Sequence, residues 1–168
     1  ATYHEIAPIK DVIVRNVRIT DTTSVGAGVI HIVRAENVLL DNVEVDGFTN
    51  SAVSIGVSKD ITLRNFRAKA FTDGSAYSAA IEIEDANENI TIENCVLEDI
   101  DAYTGIVVGK DVHADGGVAR NITISGCRIE SNGDAADEGG IVVLPNAQFV
   151  DIANNYIVGS PATSTSGI

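Results

Sequence analysis

One short phrase recurs six times along this chain, and it constrains the fold more than any other feature. The copies read DVIVRNVRI, NVLLDNVEV, DITLRNFRA, NITIENCVL, NITISGCRI and, more loosely, FVDIANNYI. Aligned on the first apolar position, they begin at Val12, Val38, Ile61, Ile90, Ile122 and Val150, with spacings of 26, 23, 29, 32 and 28 residues. Repeats of this length build stacked architectures, because no single unit can bury its apolar face alone. The sequence therefore predicts a stack of about six coils.

Within each copy, apolar and polar residues alternate until an asparagine interrupts them. In the first copy Val12 and Val14 share one side of a strand, and after Asn16 the apolar set resumes at Val17 and Ile19. Asparagine tolerates left-handed backbone and bonds nearby main chain, which suits a sharp corner between two short strands. A third strand precedes most copies and reads GVIHIV, SAVSIGV, AAIEIE, TGIVVG or GGIVVL. We therefore predict an all-β fold with three short strands in each coil.

The pattern N-I-T-I-x-N-x-x-I, followed by a turn and G-I-x-V, resembles the right-handed parallel β-helix of the pectate-lyase-like superfamily. The resemblance covers residues 10 to 168. It implies a right-handed single-stranded parallel β-helix. That superfamily includes pectate and alginate lyases, polygalacturonases, alginate epimerases, phage tailspikes and non-enzymatic surface proteins. We expect residues 1–168 to form a single β-helix domain. We also expect it to belong to a longer chain, because Gly167 and Ile168 read as the start of another G-I strand without a cap.

The alignment predicts which side chains become neighbours along the stack. One outward column reads Arg15, Asp41, Arg64, Glu93 and Ser125, and another reads Arg18, Glu44, Arg67, Val96 and Arg128. Charges alternate in sign as far as Glu93 in the first column and Arg67 in the second, which avoids like charges between stacked outward neighbours. Cys95 and Cys127 fall at one inward position in adjacent coils. Two alternatives stay open for them, a pair of buried free thiols and a disulfide.

The charge of the chain is strongly asymmetric. The net charge is −13, residues 1–70 are neutral, and residues 71–168 hold sixteen acidic and three basic residues. A nucleic-acid partner is excluded, because phosphate binding needs a basic face. Either the acidic loops keep the stack soluble, or they bind Ca²⁺ through carboxylate oxygens. The candidate calcium ligands are Glu84, Asp85, Asp111 and Asp115.

The sequence also indicates where the protein is located. No segment approaches the roughly 18 apolar residues of a membrane span. The start, ATYHEIAPIK, lacks a signal-peptide pattern, which fits a mature secreted form or an excised fragment. Taken with the resemblance, this leads us to expect a secreted or cell-surface protein.

Candidate catalytic residues come from the outward face of the G-I-x-V strand. Its first outward column reads His31, Ser54, Glu82, Val107 and Val142. Glu82 and Glu84 share that face, roughly 6.5–7 Å apart between Cα atoms. Inverting glycosidases place their two carboxyls about 6.5–9.5 Å apart, so this pair, with His31, is the candidate catalytic set. The alternative is that both glutamates are solvated surface residues.

Substrate-binding candidates flank this set, and the chemistry stays open. Ser54, Arg34 and Tyr103 are the residues we expect to contact substrate. A lyase would use His31, Arg34 or Tyr103 together with Ca²⁺ to neutralise a uronate. Neither the NTD, GHG and RIK set of polygalacturonases nor the DPH motif of alginate epimerases occurs here. Whether the chain is an enzyme is therefore left open.

Two hypotheses for function follow. The first is an extracellular polysaccharide-directed β-helix, a glycan hydrolase or lyase that binds a polysaccharide or cell-surface glycan. The second is a non-catalytic structural or adhesive module, such as a fibre, tailspike or surface repeat. It would self-associate through the ends of the stack or through the outward apolar face formed by Val107, Val142 and Leu144.

Overall fold

The computed structural model describes residues 7–20, 28–71, 79–100, 104–110, 117–131 and 140–159, and these residues are β-strands joined by turns. The strands are β1 (Ile9–Thr20), β2 (Ile30–Val33), β3 (Ala35–Phe48), β4 (Val53–Gly56), β5 (Lys59–Arg64), β6 (Arg67–Phe71), β7 (Ala79–Glu84), β8 (Glu88–Glu93), β9 (Val96–Ile100), β10 (Thr104–Lys110), β11 (Ala119–Ser125), β12 (Arg128–Ser131), β13 (Ile141–Val143), β14 (Ala147–Ala153) and β15 (Tyr156–Gly159). The described part of the chain contains no helix, so the all-β prediction is confirmed.

Every strand pairs in parallel with strands one coil away, which is the arrangement of a parallel β-helix. One sheet has the order β14-β11-β8-β5-β3-β6-β9-β12-β15, with β1 added beside β3. The long strands β1 and β3 turn the corner and thereby join two of the three faces. The third face has the order β13-β10-β7-β4-β2. Four turns separate the first and last strands of this third face, fewer than the six coils predicted.

The register agrees with the alignment of the six phrases. Their first apolar residues stack on one another in sequence order, through the pairs Val12–Val38, Val38–Ile61, Ile61–Ile90, Ile90–Ile122 and Ile122–Val150. Ile61, Ile90 and Ile122 are completely buried. The core is thus a set of stacked aliphatic columns, which explains the scarcity of aromatic residues (5%).

The corner asparagines adopt the left-handed backbone that the sequence predicts. Asn16, Asn42, Asn65, Asn94, Gly126 and Asn154 have φ between 52° and 64°. The Asn42 amide nitrogen donates to the Asn16 side-chain oxygen across 2.8 Å. Gly126 replaces asparagine in one coil, where an added Cβ would lie 2.6 Å from Asn94 Oδ1. The asparagine column therefore belongs to the scaffold.

A second left-handed column is formed by the first residue of each phrase, and the sequence analysis missed it. Its members are Asp11, Asn37, Asp60, Asn89, Asn121 and Phe149, with φ between 55° and 59°. Amide nitrogens bridge neighbouring coils, from Asn37 to Asp11 at 2.6 Å and from Asn121 to Asn89 at 3.0 Å. The signal was present, because Asp or Asn precedes the first apolar residue in five of the six copies.

Phe149 breaks this column and gives a stability prediction. It has φ 56° and is 76% exposed, so a bulky residue occupies a left-handed position without burial in return. Phe149→Asn is expected to raise the free energy of unfolding by about 1 kcal/mol, because Asn tolerates this backbone. Thermal unfolding measures the change, with Gln148→Asn at the neighbouring exposed site as the control. A lower melting temperature for Phe149→Asn would contradict the assignment.

The outer surface of the larger sheet is a lattice of ion pairs between coils. Asp41 contacts Arg15 at 3.5 Å and Arg64 at 2.9 Å, and the Arg64 guanidinium lowers the pKa of Asp41. Glu98 likewise contacts Arg67 and Arg128. The two predicted charge columns are confirmed. A third column, missed from sequence, reads Lys10, Glu36, Lys59, Glu88 and Arg120 in register.

The two cysteines stack in the core as free thiols. The Cys95 Sγ donates to the carbonyl of Glu93 at 3.5 Å, and the Cys127 Sγ donates to that of Ser125 at 3.4 Å. A hydrogen bond with Cys127, together with burial, raises the pKa of Cys95. Of the two alternatives, the structure therefore has the free pair.

Candidate functional site

The candidate catalytic column lies on the smaller sheet, in the predicted register. His31 pairs with Ser54, Ser54 with Glu82, and Glu82 with Val107 across β2, β4, β7 and β10. Because successive strand residues alternate between faces, these side chains share the face opposite the core. The smaller sheet therefore brings Ser54 and Glu82 together, one coil apart.

This outward face is buried, which the sequence did not predict. Glu82 is 3% exposed, Glu84 is 5% and Ser54 is 2%. The alternative of solvated surface glutamates is therefore wrong. Every residue of β4 and β7 is buried, on both faces. A strand buried on both faces reads as a continuous apolar run, and in β7 two glutamates interrupt that run.

Glu82 forms an ion pair with a lysine from the next coil. The Lys110 Nζ lies 2.8 Å from Glu82 Oε1, and the Lys110 side chain is 21% exposed. Burial raises the pKa of Glu82 above its ordinary value, and the Lys110 ammonium opposes this shift. The result is a largely buried ion pair between coils.

A β-bulge places Lys110 there, and the sequence analysis missed this residue. Since Glu82 pairs with Val107, an unbroken register would pair Glu84 with Gly109. The register instead shifts between Val108 and Lys110, and Lys110 pairs with Glu84. Gly109 has φ 81°, a conformation in which glycine carries no Cβ penalty. The available signal was Lys110 itself, one of only three basic residues after position 70.

Glu84 also has a partner within this cluster. The Ser54 hydroxyl donates to Glu84 Oε1 across 2.6 Å, so strands β4 and β7 are joined by their side chains. Together, Glu82, Glu84, Ser54 and Lys110 form what we call the buried polar cluster. Its carboxyl oxygens accept hydrogen bonds from protein groups, which is how buried charges are normally satisfied.

The turn after β7 is also buried and serves the scaffold. Asp85 is fully buried, and its carboxylate accepts a hydrogen bond from the Gly117 backbone at 3.4 Å. The Asn87 amide donates to the carbonyls of Ile55 and Glu84, both at 2.8 Å. These contacts link three consecutive coils. They give Asp85 a structural role.

The remaining candidates are His31, Arg34, Tyr103, Asp111 and Asp115. His31 is exposed, and Arg34 lies in the turn after β2 with φ 52°. Tyr103, Asp111 and Asp115 lie outside the described residues. Within the described ranges, no group of three His, Cys, Asp or Glu could hold a metal ion. Calcium binding by Glu84, Asp85, Asp111 and Asp115 stays a prediction.

The solvent exposure of the outward apolar face changes along the stack. Val107 is completely buried, whereas Val142 and Leu144 are half-buried. The column is therefore already covered at β10, and only the following coil leaves part of it open. Self-association through this face, or through the ends of the stack, stays a prediction. In the part of the chain that the structure describes, no helix is long and apolar enough to cross a membrane.

The contacts of the buried polar cluster bear on the predicted acid–base catalysis. Its protonatable Glu82 is paired with Lys110, and Glu84 accepts a hydrogen bond from Ser54. General acid–base catalysis needs the group within hydrogen-bond reach of the reacting atom. Glu82 is 3% exposed and Glu84 is 5% exposed. Catalysis by Glu82, Glu84 and His31 stays a prediction.

Comparison with known proteins identifies the family. Neither the search of curated proteins nor that of solved structures found a match. A protein-family model described as "Periplasmic copper-binding protein (NosD)" matches residues 6–165. The periplasm in that description agrees with the secreted or cell-surface location predicted from the sequence. The match names this family and not the pectate-lyase-like superfamily, while the predicted parallel β-helix is confirmed.

The copper in the family description finds no fitting donor set among the described residues. Cys95 and Cys127 are the only soft ligands, and copper(I) prefers such ligands. Both are buried in the core, and each thiol already donates a hydrogen bond to a backbone carbonyl. Since the family model spans nearly the whole sequence, the chain belongs to the NosD family.

Proposed function

We propose that this chain is a non-catalytic module, a rigid parallel β-helix that acts outside the cytoplasm by presenting its surfaces to a partner. The observation that carries the proposal is the burial of Glu82 and Glu84, the two carboxyls best placed for chemistry. The location follows the family description, which names the periplasm.

The surface chemistry supports a scaffold. Side chains of opposite charge alternate along the larger sheet, so that most of its cations already contact acids in adjacent coils. Hydrogen-bonded amides brace both of its corners. Such a stack holds side chains at fixed spacing, as a recognition surface requires.

A cleavage assay tests the non-catalytic role. Wild type, Glu82→Gln and Glu88→Gln would be incubated with neutral and acidic polysaccharides, and new reducing ends and unsaturated uronates would be measured. We expect no cleavage above buffer from any of them. Cleavage by wild type that is lost in Glu82→Gln and kept in Glu88→Gln, an exposed glutamate, would refute the proposal and restore the hydrolase or lyase hypothesis.

A polysaccharide is a second candidate, as a ligand that is bound and not cleaved. Two exposed aromatic side chains favour it, Phe149 at 76% and Tyr156 at 63% exposure, because each offers an apolar ring face at the surface. Electrophoresis through gels containing each polysaccharide tests this candidate. We expect slowed migration for wild type and recovery of mobility in Tyr156→Ala. Equal mobility with and without every polysaccharide would remove this candidate and leave the scaffold role standing.

A further inference from the structure

The chain has two cysteines, and the stack places them side by side. Cys95 lies between β8 and β9, and Cys127 occupies the equivalent position between β11 and β12, one coil later. The residues that follow them, Val96 and Arg128, pair in register. The Arg128 backbone nitrogen donates to the Cys95 carbonyl across 2.8 Å. The register of the two coils is therefore fixed at the cysteines themselves.

This placement meets the distance requirement of a disulfide. Neighbouring strands lie about 4.8 Å apart, and disulfides join Cα atoms about 4.4–6.8 Å apart. The Cys95 side chain is 0% exposed and that of Cys127 is 1% exposed, so both point into the core along one column. A hydrogen bond between the two thiols raises the pKa of Cys95 and lowers the pKa of Cys127, which places the sulfur atoms in contact.

The backbone beside the pair is free to adjust to such a bond. The Cβ atoms of a disulfide lie about 3.5–4.5 Å apart, closer than neighbouring strands. Both cysteines lie outside the strands, so the strand ladder does not set their separation. Gly126, which precedes Cys127, replaces the asparagine of the corner column and has φ 64°, a conformation that costs glycine nothing. Closing the pair therefore needs only a local movement at one corner.

The compartment supplies the oxidant. The family description names the periplasm, an oxidising compartment in which disulfides form and persist. Because both thiols are buried in the folded stack, a protein disulfide oxidant reaches them while the chain folds, before the core closes. One cysteine thiolate attacks the disulfide of the oxidant, and the second cysteine then displaces the oxidant from the first. The two thiols lose two protons and two electrons, and the oxidant is reduced to its dithiol.

We propose that Cys95 and Cys127 form an oxidation site, at which a disulfide joins two adjacent coils when the chain folds outside the cytoplasm. The structure holds this pair in its reduced form. The bond closes a loop from Cys95 to Cys127 and stabilises the stack by restricting the unfolded chain. The inference uses the location outside the cytoplasm and does not depend on whether the chain is catalytic.

Refolding in a glutathione redox buffer tests this inference. The intact chain would be unfolded in urea, refolded with reduced and oxidised glutathione, alkylated and analysed by mass spectrometry. A second sample would stay in urea in the same redox buffer. We expect the refolded protein to lack two hydrogen atoms and to carry no alkyl group. The ratio of disulfide to dithiol should be at least about tenfold higher in the folded than in the unfolded chain.

The melting temperature gives an independent measurement. Oxidised wild type should melt about 5–10 °C above the reduced protein. The matched control, Cys95→Ala with Cys127→Ala, should melt at the same temperature in both buffers. The refolding measurement uses wild type alone, so it decides the question even if this variant does not fold.

Three results would overturn the inference. They are a disulfide fraction no higher in the folded than in the unfolded chain, glutathione adducts in place of the disulfide, and equal melting temperatures for oxidised and reduced wild type. None of these measurements involves polysaccharide cleavage, so the proposed scaffold role is judged separately.

Discussion

Replacing Lys110 by methionine is expected to lower the free energy of unfolding by about 3 kcal/mol at pH 7. The Lys110 ammonium lies 2.8 Å from Glu82, a residue that is 3% exposed, and its loss leaves a buried carboxylate without its counter-charge. Urea unfolding monitored by circular dichroism measures the change. We place the loss at the lower end of the range for broken buried pairs because the Lys110 side chain retains 21% exposure.

Two controls separate the buried pair from ordinary surface charge. Lys59→Met breaks a pair of about half-exposed side chains, Lys59 and Glu88 at 3.6 Å, and should cost at most about 1 kcal/mol. The double change Glu82→Gln with Lys110→Met removes both charges and should recover much of the loss. Equal losses in Lys110→Met and Lys59→Met would mean that Glu82 is solvated.

The pH dependence of Lys110→Met has a defined sign. Burial raises the folded-state pKa of Glu82 above the ordinary 4.5, so the folded protein binds this proton more readily than the unfolded chain. Its contribution is fully present below pH 4.5 and is lost as the pH rises through the raised value. Without Lys110 that pKa rises further, and the deficit against wild type should shrink as the pH falls from 7 toward 4.5. A deficit independent of pH would contradict this explanation.

Truncating a side chain in the central core column is expected to destabilise the protein about as much as Lys110→Met does. Ile90→Ala removes a completely buried side chain stacked between Ile61 and Ile122, and should cost about 2–5 kcal/mol. Val12 occupies the same column in the first coil but is only partly buried. Val12→Ala should therefore cost clearly less, about 1 kcal/mol. Equal costs at both positions in urea unfolding would contradict the stacked core.

The repeat made the fold and its register predictable. Stacking forces equivalent residues into columns, so a single alignment fixes all neighbours at once, and Arg15, Asp41 and Arg64 lie in contact as predicted. The number of coils was overestimated. The left-handed column from Asp11 to Phe149 was missed, although Asp or Asn precedes the first apolar residue in five of the six copies.

The candidate site was less predictable for a physical reason. Period-two alternation tells which face a side chain points to, but it does not tell whether that face is covered. Glu82 and Glu84 point away from the core as predicted, and both are nevertheless buried. The bulge at Gly109 shifts the register by one residue, which an ungapped repeat cannot reveal. The contact between Lys110 and Glu82 was therefore not predicted from the sequence.

Carboxyl labelling tests the central claim, that the best-placed catalytic carboxyls are sealed from solvent, most directly. The native protein would be treated with a water-soluble carbodiimide and an amine, and the modified glutamates would be located by peptide mass spectrometry over time. The account predicts rapid labelling of the exposed Glu88 and protection of Glu82 and Glu84 until the protein is unfolded in urea. Labelling of Glu82 and Glu84 in the native protein at the rate of Glu88 would contradict it.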